Sequence, residues 1–465
     1  MSMTRAPTGE ANAGSPAADM TDHGVEQYTA NAATPIDAVA FAKAMAAFSI
    51  PDECAIAVAV SGGPDSMALL LLLREWCARR QVTLTALTVD HCLRDESGTE
   101  AAQVAAWCEA LGVAHAVLPW RMGPSQRGLS RSPQAAARAA RYDLLLNWCH
   151  ANGHARLCVA HHADDQIETF FLRLARGSGV DGLAAMAPKS RRAGVDLLRP
   201  LLSFRKNALE ATCVAAGQGW VEDPSNGNRK SARVRFRQAR AIFAAEGFDD
   251  ARLLATIAHL QRARQALETA VDALLAQTCR WDSWGAAHID LAAFVAAPAE
   301  IALRALTRVL TTTAGEIYGP RFERLERLYG SMIAGPWRDS TLHGCHIMRD
   351  GTEILICREA DAITEDVRVN AGETVLWDRR FSIGVPHSAP CALVVCRLTA
   401  PSWKLVTAGG NVPAIHPAIR AGMPMMTDEQ GLAAVPWAGY VRADLRLQLK
   451  EPIFWGFAPS LTEFG

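Results

Sequence analysis

The sequence predicts an α/β fold, in which a doubly wound parallel sheet is followed by a helical domain and a small mixed or β domain at the carboxyl terminus. Three observations support this prediction. Short apolar runs alternate with helical segments between residues 37 and 228. Helical patterns rich in Ala, Leu and Arg continue to residue 333, and strand-like patterns with frequent Pro and Gly follow. Alternating strands and helices indicate a parallel sheet, because each crossover between parallel strands needs a connecting helix.

The first domain contains five predicted strands and five predicted helices. The strands are expected at residues 55–60, 83–89, 115–118, 156–160 and 195–198. The helices are expected at residues 64–79, 98–111, 133–150, 165–175 and 203–216. Ligands of doubly wound sheets bind at the carboxyl ends of the strands. Ser61, Asp90 and His161 each follow directly after a strand, so we expect them to converge on one crevice.

The 465 residues are enough for about three domains. We expect a disordered tail at 1–36, a catalytic domain at 37–240, a helical domain at 241–336 and a mixed or β domain at 337–465. The tail is rich in Ala, Thr, Gly and Pro and lacks the basic start and hydrophobic stretch of a secretion signal. Within the last domain, Asp350-Gly351-Thr352 predicts a hairpin turn.

Composition excludes several classes of protein. Half of the residues are hydrophobic and a fifth are charged, as in ordinary soluble domains. Apolar runs such as residues 67–73 fall far short of the roughly 20 residues that span a bilayer. We therefore expect no membrane segment and a cytoplasmic protein. The twelve cysteines are scattered without a Cys-x-x-Cys, which favours reduced thiols over disulfides or zinc sites.

The junction between the first strand and the first helix is a candidate anion site. A glycine pair lets backbone amides approach a polyphosphate, and the helix dipole adds a fractional positive charge. Proline suits the first helical turn, and a serine hydroxyl can point at the same anion. No Gly-x-x-x-x-Gly-Lys-Ser/Thr loop occurs in the chain. The alternative is an ordinary tight turn before a helix. The segment reads Ser61-Gly62-Gly63-Pro64-Asp65-Ser66.

Three carboxylates near the predicted strand ends have two interpretations each. Asp65 beside a triphosphate would need a divalent cation, for which Mg²⁺ is the natural choice, or else it is a helix N-terminal acid stabilised by the dipole. Asp165 and Glu168 lie three apart on one helical face, where they form either a ligand pocket or a capping box. The adjacent His161 and His162 point to opposite faces, so we expect no zinc site.

Positive charge is concentrated locally, although the net charge is −1. Lys189, Arg191 and Arg192 form one cluster. A second cluster contains no acidic residue and could neutralise backbone phosphates of a nucleic acid. A solvated basic helix face is the alternative. The second cluster consists of Arg229, Lys230, Arg233, Arg235, Arg237 and Arg240.

The glycine segment resembles the pyrophosphate loop of the ATP pyrophosphatase (PP-loop) superfamily, whose members cleave ATP to AMP and pyrophosphate. Five further motifs follow in order, and together they are similar to those of the tRNA(Ile)-lysidine synthetase family. The resemblance covers about residues 55–240. The motifs are Asp90-His91-Cys92-Leu93-Arg94, His161-His162-Ala163-Asp164-Asp165-Gln166-Ile167-Glu168-Thr169, Arg176-Gly177-Ser178-Gly179, Arg199-Pro200-Leu201-Leu202 and Trp220-Val221-Glu222-Asp223-Pro224-Ser225-Asn226.

The resemblance implies a reaction and roles for particular residues. Free lysine would be joined to C2 of the wobble cytidine in an isoleucine tRNA with a CAU anticodon, through an ATP-derived adenylated cytidine and with release of AMP and pyrophosphate. Asp65, Asp165 and Glu168 would be catalytic, Asp65 would bind Mg²⁺, and Asp165 and Glu168 would hold the lysine ammonium groups. Arg141 matches the arginine of an Ala-Arg-Tyr motif and would contact ATP.

The tRNA is expected to bind Arg235, Arg237 and Arg240 of the basic segment. The family usually shows an Arg-Asn pair at a position where Arg233 is here followed by Val234, which leaves the role of Arg233 open. The sequence also leaves open whether the chain forms a homodimer.

Two other functions remain as alternatives. Another adenylating enzyme of the superfamily would be a tRNA thiolase or an ammonia-using synthetase. The missing paired cysteines disfavour the thiolase, and the absence of a glutaminase-like domain disfavours the synthetase. A catalytically inactive RNA-binding module would be expected to have lost Asp65 or the Asp-Asp-Gln-x-Glu-Thr string, and both are intact.

Overall fold

The computed structural model describes residues 34–92, 97–120, 133–222, 242–316 except 244, 318–335, 338–408 and 412–457, with only the backbone of 133–139. Most of the expected disordered tail at 1–36 lies outside these ranges. Ile36, at the end of that tail, is buried, and its backbone amide donates a 2.9 Å hydrogen bond to Oγ1 of Thr212. The fold therefore includes this last tail residue.

The first domain is built around a six-stranded sheet in the order β3-β2-β1-β4-β6-β5. Its strands are β1 (Ala55–Ala59), β2 (Thr83–Asp90), β3 (Ala114–Pro119), β4 (Arg156–Cys158), β5 (Lys189–Arg192) and β6 (Val195–Leu198). Strands β1, β2, β3, β4 and β6 pair in parallel, and β5 pairs antiparallel with β6. The predicted doubly wound α/β sheet is confirmed.

Seven helices accompany this sheet in the described part of the domain. They are α1 (Ala38–Ala46), α2 (Pro64–Ala78), α3 (Ser97–Ala110), α4 (Pro133–Ala151), α5 (Ala163–Leu174), α6 (Val180–Leu183) and α7 (Lys206–Ala215). Helix α2 lies at the centre of the main core, where Met67, Leu69, Leu70 and Leu73 have no measurable exposure. Packing in the core holds α2 against the sheet, so its amino end stays beside the glycine segment that follows β1.

Strand β5 was not predicted, because four polar residues carry little strand signal. It forms a hairpin with β6, in which Nζ of Lys189 lies 3.0 Å from Oδ2 of Asp196 and Nη1 of Arg191 lies 3.9 Å from Oδ1 of the same residue. The first basic cluster of the sequence is thus an edge strand whose charge is partly neutralised. Charged residues at an edge also oppose pairing with other chains.

The middle of the chain combines helices with a second sheet. The helices are α8 (Asp250–Thr278), α9 (Leu291–Ala296), α10 (Ala299–Ala314) and α11 (Phe322–Ile333). The strands are β7 (Cys279–Trp281), β8 (Ala287–Asp290), β9 (Ser340–Leu342), β10 (Cys345–Asp350) and β11 (Glu353–Arg358), in the order β7-β8-β11-β10-β9. This sheet takes strands from both sides of the expected boundary at 336–337, which therefore passes through one packed unit. The predicted turn is present, since Asp350 pairs with Glu353 and Gly351 has φ 61°.

The last part of the chain contains two antiparallel sheets. Strands β12 (Val367–Val369), β15 (Leu393–Arg397), β16 (Pro424–Asp428), β17 (Gly431–Val435) and β18 (Tyr440–Val441) form one sheet. Strands β13 (Thr374–Trp377), β14 (Phe381–Gly384) and β19 (Phe454–Phe457) form the other. Within the described residues of this part, three short α-helices accompany them, α12 (Ala400–Ala408), α13 (Pro417–Ala421) and α14 (Ala443–Gln448).

None of the twelve cysteines forms a disulfide. Burial raises the pKa of the Cys77 thiol to about 12 and that of Cys108 to about 11, which keeps both thiols protonated and unreactive. In the described part of the chain, no helix has the length and apolar character needed to cross a membrane.

Candidate active site

The glycine segment forms a loop between β1 and α2. Gly63 is the N-cap of α2, Pro64 is at the first helical position, and the backbone amide of Met67 donates to the carbonyl oxygen of Gly63 at 3.0 Å. The Ser66 hydroxyl donates to the same carbonyl at 2.9 Å and accepts from the backbone amide of Ser61 at 3.1 Å. The loop is therefore braced by Ser66 while the amino end of a long helix faces the crevice, as an anion site requires.

Gly62 has the conformation that only glycine adopts easily. Its φ is 85°, and a Cβ atom there would lie 2.9 Å from Cγ2 of Val104 and 3.1 Å from Cγ2 of Val221. The backbone amide of Val221 also donates a 2.8 Å hydrogen bond to the carbonyl oxygen of Gly62. The Trp220-Val221-Glu222 motif thus contacts the glycine segment from a distant part of the chain, a contact that sequence reasoning missed.

A cavity of about 370 Å³ opens beside this loop at the carboxyl ends of β1, β2 and β4. Ser61, Asp90 and His161 all line it, which confirms that the three strand ends converge. Among the predicted ATP-binding residues, those lining the cavity are Ser61, Gly63, Asp65, Ser66 and Arg141. Gly62 and Pro64 shape the loop without lining the cavity.

Arg141 enters the cavity from α4 and contacts His91 at the end of β2. Its Nη2 and Nε lie 2.9 and 3.2 Å from Nε2 of the imidazole. Burial, and then the positive charge of Arg141, lower the pKa of His91 below its usual value, while Asp90 opposes this weakly. A neutral imidazole accepts a hydrogen bond from the guanidinium, so His91 orients Arg141 toward the cavity. Sequence reasoning did not predict this pairing, because no local pattern indicates it.

A buried histidine links the loop carboxylate to helix α5. His162 is the N-cap of α5, and its Nε2 lies 3.6 Å from Oδ2 of Asp65 and 3.5 Å from Oδ2 of Asp165. Its Nδ1 lies 3.7 Å from Oδ2 of Asp164. Burial lowers the pKa of His162, but the surrounding carboxylates, Asp65 foremost, outweigh burial and raise the pKa above its usual value. Protonation of this imidazole is therefore favoured, because three carboxylates surround it in a confined space.

Asp165 forms the capping-box hydrogen bond that was one of its two interpretations from the sequence. Its Oδ2 accepts a 3.2 Å hydrogen bond from the backbone amide of His162. Glu168 lies one turn further along the same helix and is only 3 % exposed. Neither residue lines the cavity beside the glycine segment, but the contacts of His162 connect Asp165 to Asp65. Asp165 therefore lies next to the predicted ATP site, and Glu168 lies one helical turn beyond Asp165.

The helix that carries these carboxylates is anchored at its amino end. Oδ1 of Asp164 accepts from Nη2 of Arg205 at 2.9 Å, and its Oδ2 accepts from the backbone amide of Lys206. Gln166 is buried, and its amide exchanges hydrogen bonds of 2.9 and 2.8 Å with the backbone of Met186. Asp164 and Gln166 of the motif thus hold α5 in place beneath the site.

Several motif residues are structural or lie outside the described part of the chain. Arg199 donates to the carbonyl oxygen of Ala187 at 2.8 Å, which braces the chain beside β6. Arg235, Arg237 and Arg240, predicted to bind tRNA, and Arg233, whose role the sequence left open, are outside the described residues. Within the described ranges, no group of three or more His, Cys, Asp or Glu side chains has the geometry of a protein-only metal site.

Comparison with known proteins identifies the family. Residues 36–242 match the PP-loop domain model. A tRNA(Ile)-lysidine synthase from Wolbachia pipientis is 37% identical over 350 residues, covering 74% of this chain and 80% of the relative. The enzyme of the same name from Ruegeria pomeroyi is 39% identical over 73% of this chain and 79% of the relative. That from Methylobacterium nodulans is 38% identical over 70% of this chain and 97% of the relative. The chain therefore belongs to the tRNA(Ile)-lysidine synthase family.

Proposed function

We propose that this chain is an ATP-dependent ligase that joins free lysine to C2 of the wobble cytidine in a tRNA(Ile) with a CAU anticodon, forming lysidine. The observation that carries the proposal is the cavity at the strand ends. The glycine loop beside it, residues 61–66, lacks the lysine of the common mononucleotide loop. His162 links Asp65 of this loop to Asp165, one of the two predicted lysine-binding carboxylates. Membership of the family supports the same reaction.

The first step is adenylation of the base. ATP binds with its β- and γ-phosphates at the loop between Ser61 and Ser66, where backbone amides and the α2 dipole stabilise negative charge. Arg141, oriented by His91, contacts the nucleotide from the opposite wall. The cytosine C2 oxygen attacks the α-phosphorus, the bond from that phosphorus to the β-phosphate oxygen breaks, and pyrophosphate leaves into the loop site. Positioning and charge stabilisation account for most catalysis in such transfers.

Asp65 is the residue suited to hold Mg²⁺ with the triphosphate. Its Oδ1 is buried and has no hydrogen-bond partner among the residues that the structure describes, so the atom is available to a cation. Magnesium commonly binds through one or two carboxylates together with substrate phosphates, which fits a site with a single carboxylate in the loop. When bound, Mg²⁺ neutralises the charge of the phosphate oxygens.

The second step is attack by lysine. Asp165 and Glu168 hold the ammonium groups of the free amino acid close to the adenylated base, and burial of Glu168 strengthens this attraction. The ε-amine has a reference pKa near 10.4, so it must lose a proton before it attacks C2. A neighbouring carboxylate is the acceptor that we propose. The amine adds to C2, the bond from C2 to the original oxygen breaks, and AMP leaves with that oxygen.

The tRNA is expected to contact the basic segment that contains Arg235, Arg237 and Arg240. An anticodon loop presents unpaired bases, so inserting the wobble cytidine into the cavity costs less than flipping a base out of a duplex. Backbone phosphates next to the cytidine would then lie against arginine side chains.

Incorporation of labelled lysine into RNA tests this function. The protein is incubated with ATP, labelled lysine and a transcribed tRNA(Ile) with a CAU anticodon, and the label in RNA is counted. We expect incorporation only with ATP, and none into a transcript in which uridine replaces the wobble cytidine. Equal labelling of both transcripts, or none with either, would contradict the proposal.

A further inference from the structure

A second cavity of about 370 Å³ lies between the first domain and the middle helices. We call it the interdomain cleft. Its walls come from α5 and α6 on one side and from α8, α10 and α11 on the other. The lining side chains used below are Arg173, Arg264, Arg304, Arg308 and Phe322. A volume of this size is within the range of small-molecule and cofactor sites, roughly 300 to 1,000 Å³.

Two of the four arginines in the interdomain cleft are neutralised by carboxylates. Arg304 lies 2.8 Å from Asp181, 2.8 Å from Glu300 and 3.3 Å from Glu268. Arg308 pairs with Glu268 and Asp272. These ion pairs join α6, α8 and α10, so Arg304 and Arg308 hold the walls of the cleft together.

The other two arginines are not neutralised in this way. In the part of the chain that the structure describes, Arg173 and Arg264 have no side-chain hydrogen bond and no close ion pair. Arg264 is partly buried, and burial lowers the pKa of its guanidinium, an effect that the more distant Asp181 and Glu268 oppose. Leaving a partly desolvated cation without a close counter-charge is costly, and an anion bound beside it would offset that cost.

An aromatic ring completes the cleft. Phe322, at the start of α11, lines the cavity with 54% of its surface exposed, although phenylalanine is usually buried. Arginines beside an exposed aromatic ring are the combination that binds unpaired nucleotides, in which the phosphate contacts the cations and the base stacks on the ring. A phosphate alone would leave the ring unused.

The cleft and the proposed lysine-binding carboxylates share helix α5. Arg173 is on α5, five residues after Glu168, which places it about 7.5 Å further along the helix axis and about 140° around it. A single RNA molecule can therefore contact the cleft while its reacting base is in the cavity at the strand ends. This proximity favours a nucleotide of the bound RNA over a free nucleotide.

We propose that the interdomain cleft binds one unpaired nucleotide of the tRNA substrate, with its phosphate between Arg173 and Arg264 and its base against Phe322. The proposal rests on the proposed function for the identity of the RNA. It adds a contact outside the basic segment at 229–240 and places that contact on the helix that carries Asp165 and Glu168.

Direct binding of transcribed tRNA(Ile) over a range of salt concentrations tests the proposal without ATP or lysine. Arg173→Gln and Arg264→Gln each remove one charge from the cleft, and Phe322→Ala removes the ring. Arg262→Gln is the matched control, because Arg262 is exposed on the same helix as Arg264 and does not line the cleft. Thermal midpoints of all variants are measured in parallel to detect poor folding. Arg264→Lys changes the same side chain but keeps its charge, so it separates loss of charge from loss of stability.

We expect each cleft arginine variant to reduce the slope of log affinity against log salt by about 0.7, the value for one phosphate contact on a single strand. Phe322→Ala should weaken binding by on the order of tenfold without changing the slope. Arg262→Gln should behave as wild type, and Arg264→Lys should restore the slope.

Three results would overturn the proposal. The first is an unchanged slope in both cleft arginine variants. The second is an equal reduction in Arg262→Gln, which would assign the effect to the whole helix face. The third is AMP binding that Arg264→Gln abolishes while tRNA binding stays normal, which would assign the cleft to a free nucleotide. Since the binding assay contains neither ATP nor lysine, its outcome is independent of whether lysidine is formed.

Discussion

The backbone amide of Val221 donates a 2.8 Å hydrogen bond to the carbonyl oxygen of Gly62, and the Val221 side chain packs where a Cβ of residue 62 would lie. Two features therefore determine the conformation of the loop at residues 61–66. One is the positive φ of Gly62, and the other is contact with a segment about 160 residues later in the chain. The Trp220-Val221-Glu222 motif therefore contributes to the shape of the loop.

Gly62→Ala should lose ATP binding and destabilise the protein. The positive φ costs about 1–2 kcal/mol for alanine, and contact with Val104 and Val221 adds roughly 1–3 kcal/mol. Gly112→Ala is the control, since Gly112 has φ 66° but a Cβ atom added there would have no neighbour within 4 Å. Chemical denaturation should show the larger loss for Gly62→Ala, and nucleotide titration should show a loss for that variant alone. Equal losses of stability would mean that the loop has room for the methyl group.

Asp165→Asn separates capping from lysine binding. An asparagine oxygen can still accept from the His162 amide, so the free energy of unfolding should fall by less than about 1 kcal/mol. Asp165→Ala should cost more, because the cap is lost as well. If Asp165 binds lysine, the Asn variant needs far more lysine for half-maximal rate while its ATP requirement stays near normal, and Glu168→Gln should behave similarly. Normal lysine saturation in Asp165→Asn, with lower stability only in Asp165→Ala, would make the carboxylate purely structural.

ATP affinity should fall at acid pH through His91. The folded-state pKa of His91 is lowered from 6.5, so on acidification the unfolded chain binds the proton before the folded chain does. Proton binding by His91 therefore lowers the free energy of unfolding as the pH drops below 6.5. Once protonated, the imidazole can no longer accept a hydrogen bond from Arg141. His91→Gln keeps an acceptor at every pH. Titration of ATP between pH 5 and 8 should therefore show a steeper acid loss for wild type than for His91→Gln, although the γ-phosphate titrates equally in both. Parallel curves would remove His91 from the site.

Replacing Arg235, Arg237 and Arg240 with Ala should weaken tRNA binding and make it less dependent on salt. Each lost phosphate contact reduces the slope of log affinity against log salt by roughly 0.7 to 0.9. Binding measured at several salt concentrations gives this slope directly. A triple variant with the wild-type slope would show that the tRNA phosphates contact other residues.

The sequence predicted most of the first domain because its signals are local. Apolar strands, amphipathic helices and turn residues fix the order of elements, and the order alone brings Ser61, Asp90 and His161 to one edge of the sheet. The hairpin turn at Gly351 was predictable for the same reason, since its chemistry lies within four residues.

The features that escaped prediction depend on partners far apart in the chain. Strand β8 is four residues long and is stabilised by pairing with β11, more than sixty residues later, so the pattern at 248–333 predicted helices alone. From the sequence alone, His162 had no role once a zinc site was rejected. In the structure it lies between Asp65 and Asp165, and Asp65 is 97 residues away in the chain. Tertiary packing decides both cases, and local periodicity carries no information about it.

The path of one oxygen atom tests the central claim, adenylation of the base, most directly. A tRNA(Ile) with ¹⁸O at C2 of the wobble cytidine is incubated with ATP, lysine and the protein, and the products are analysed by mass spectrometry. If the C2 oxygen attacks the α-phosphorus and later leaves with it, one ¹⁸O appears in AMP for each lysidine formed. Lysidine formed with unlabelled AMP, or with ADP as the nucleotide product, would contradict the account.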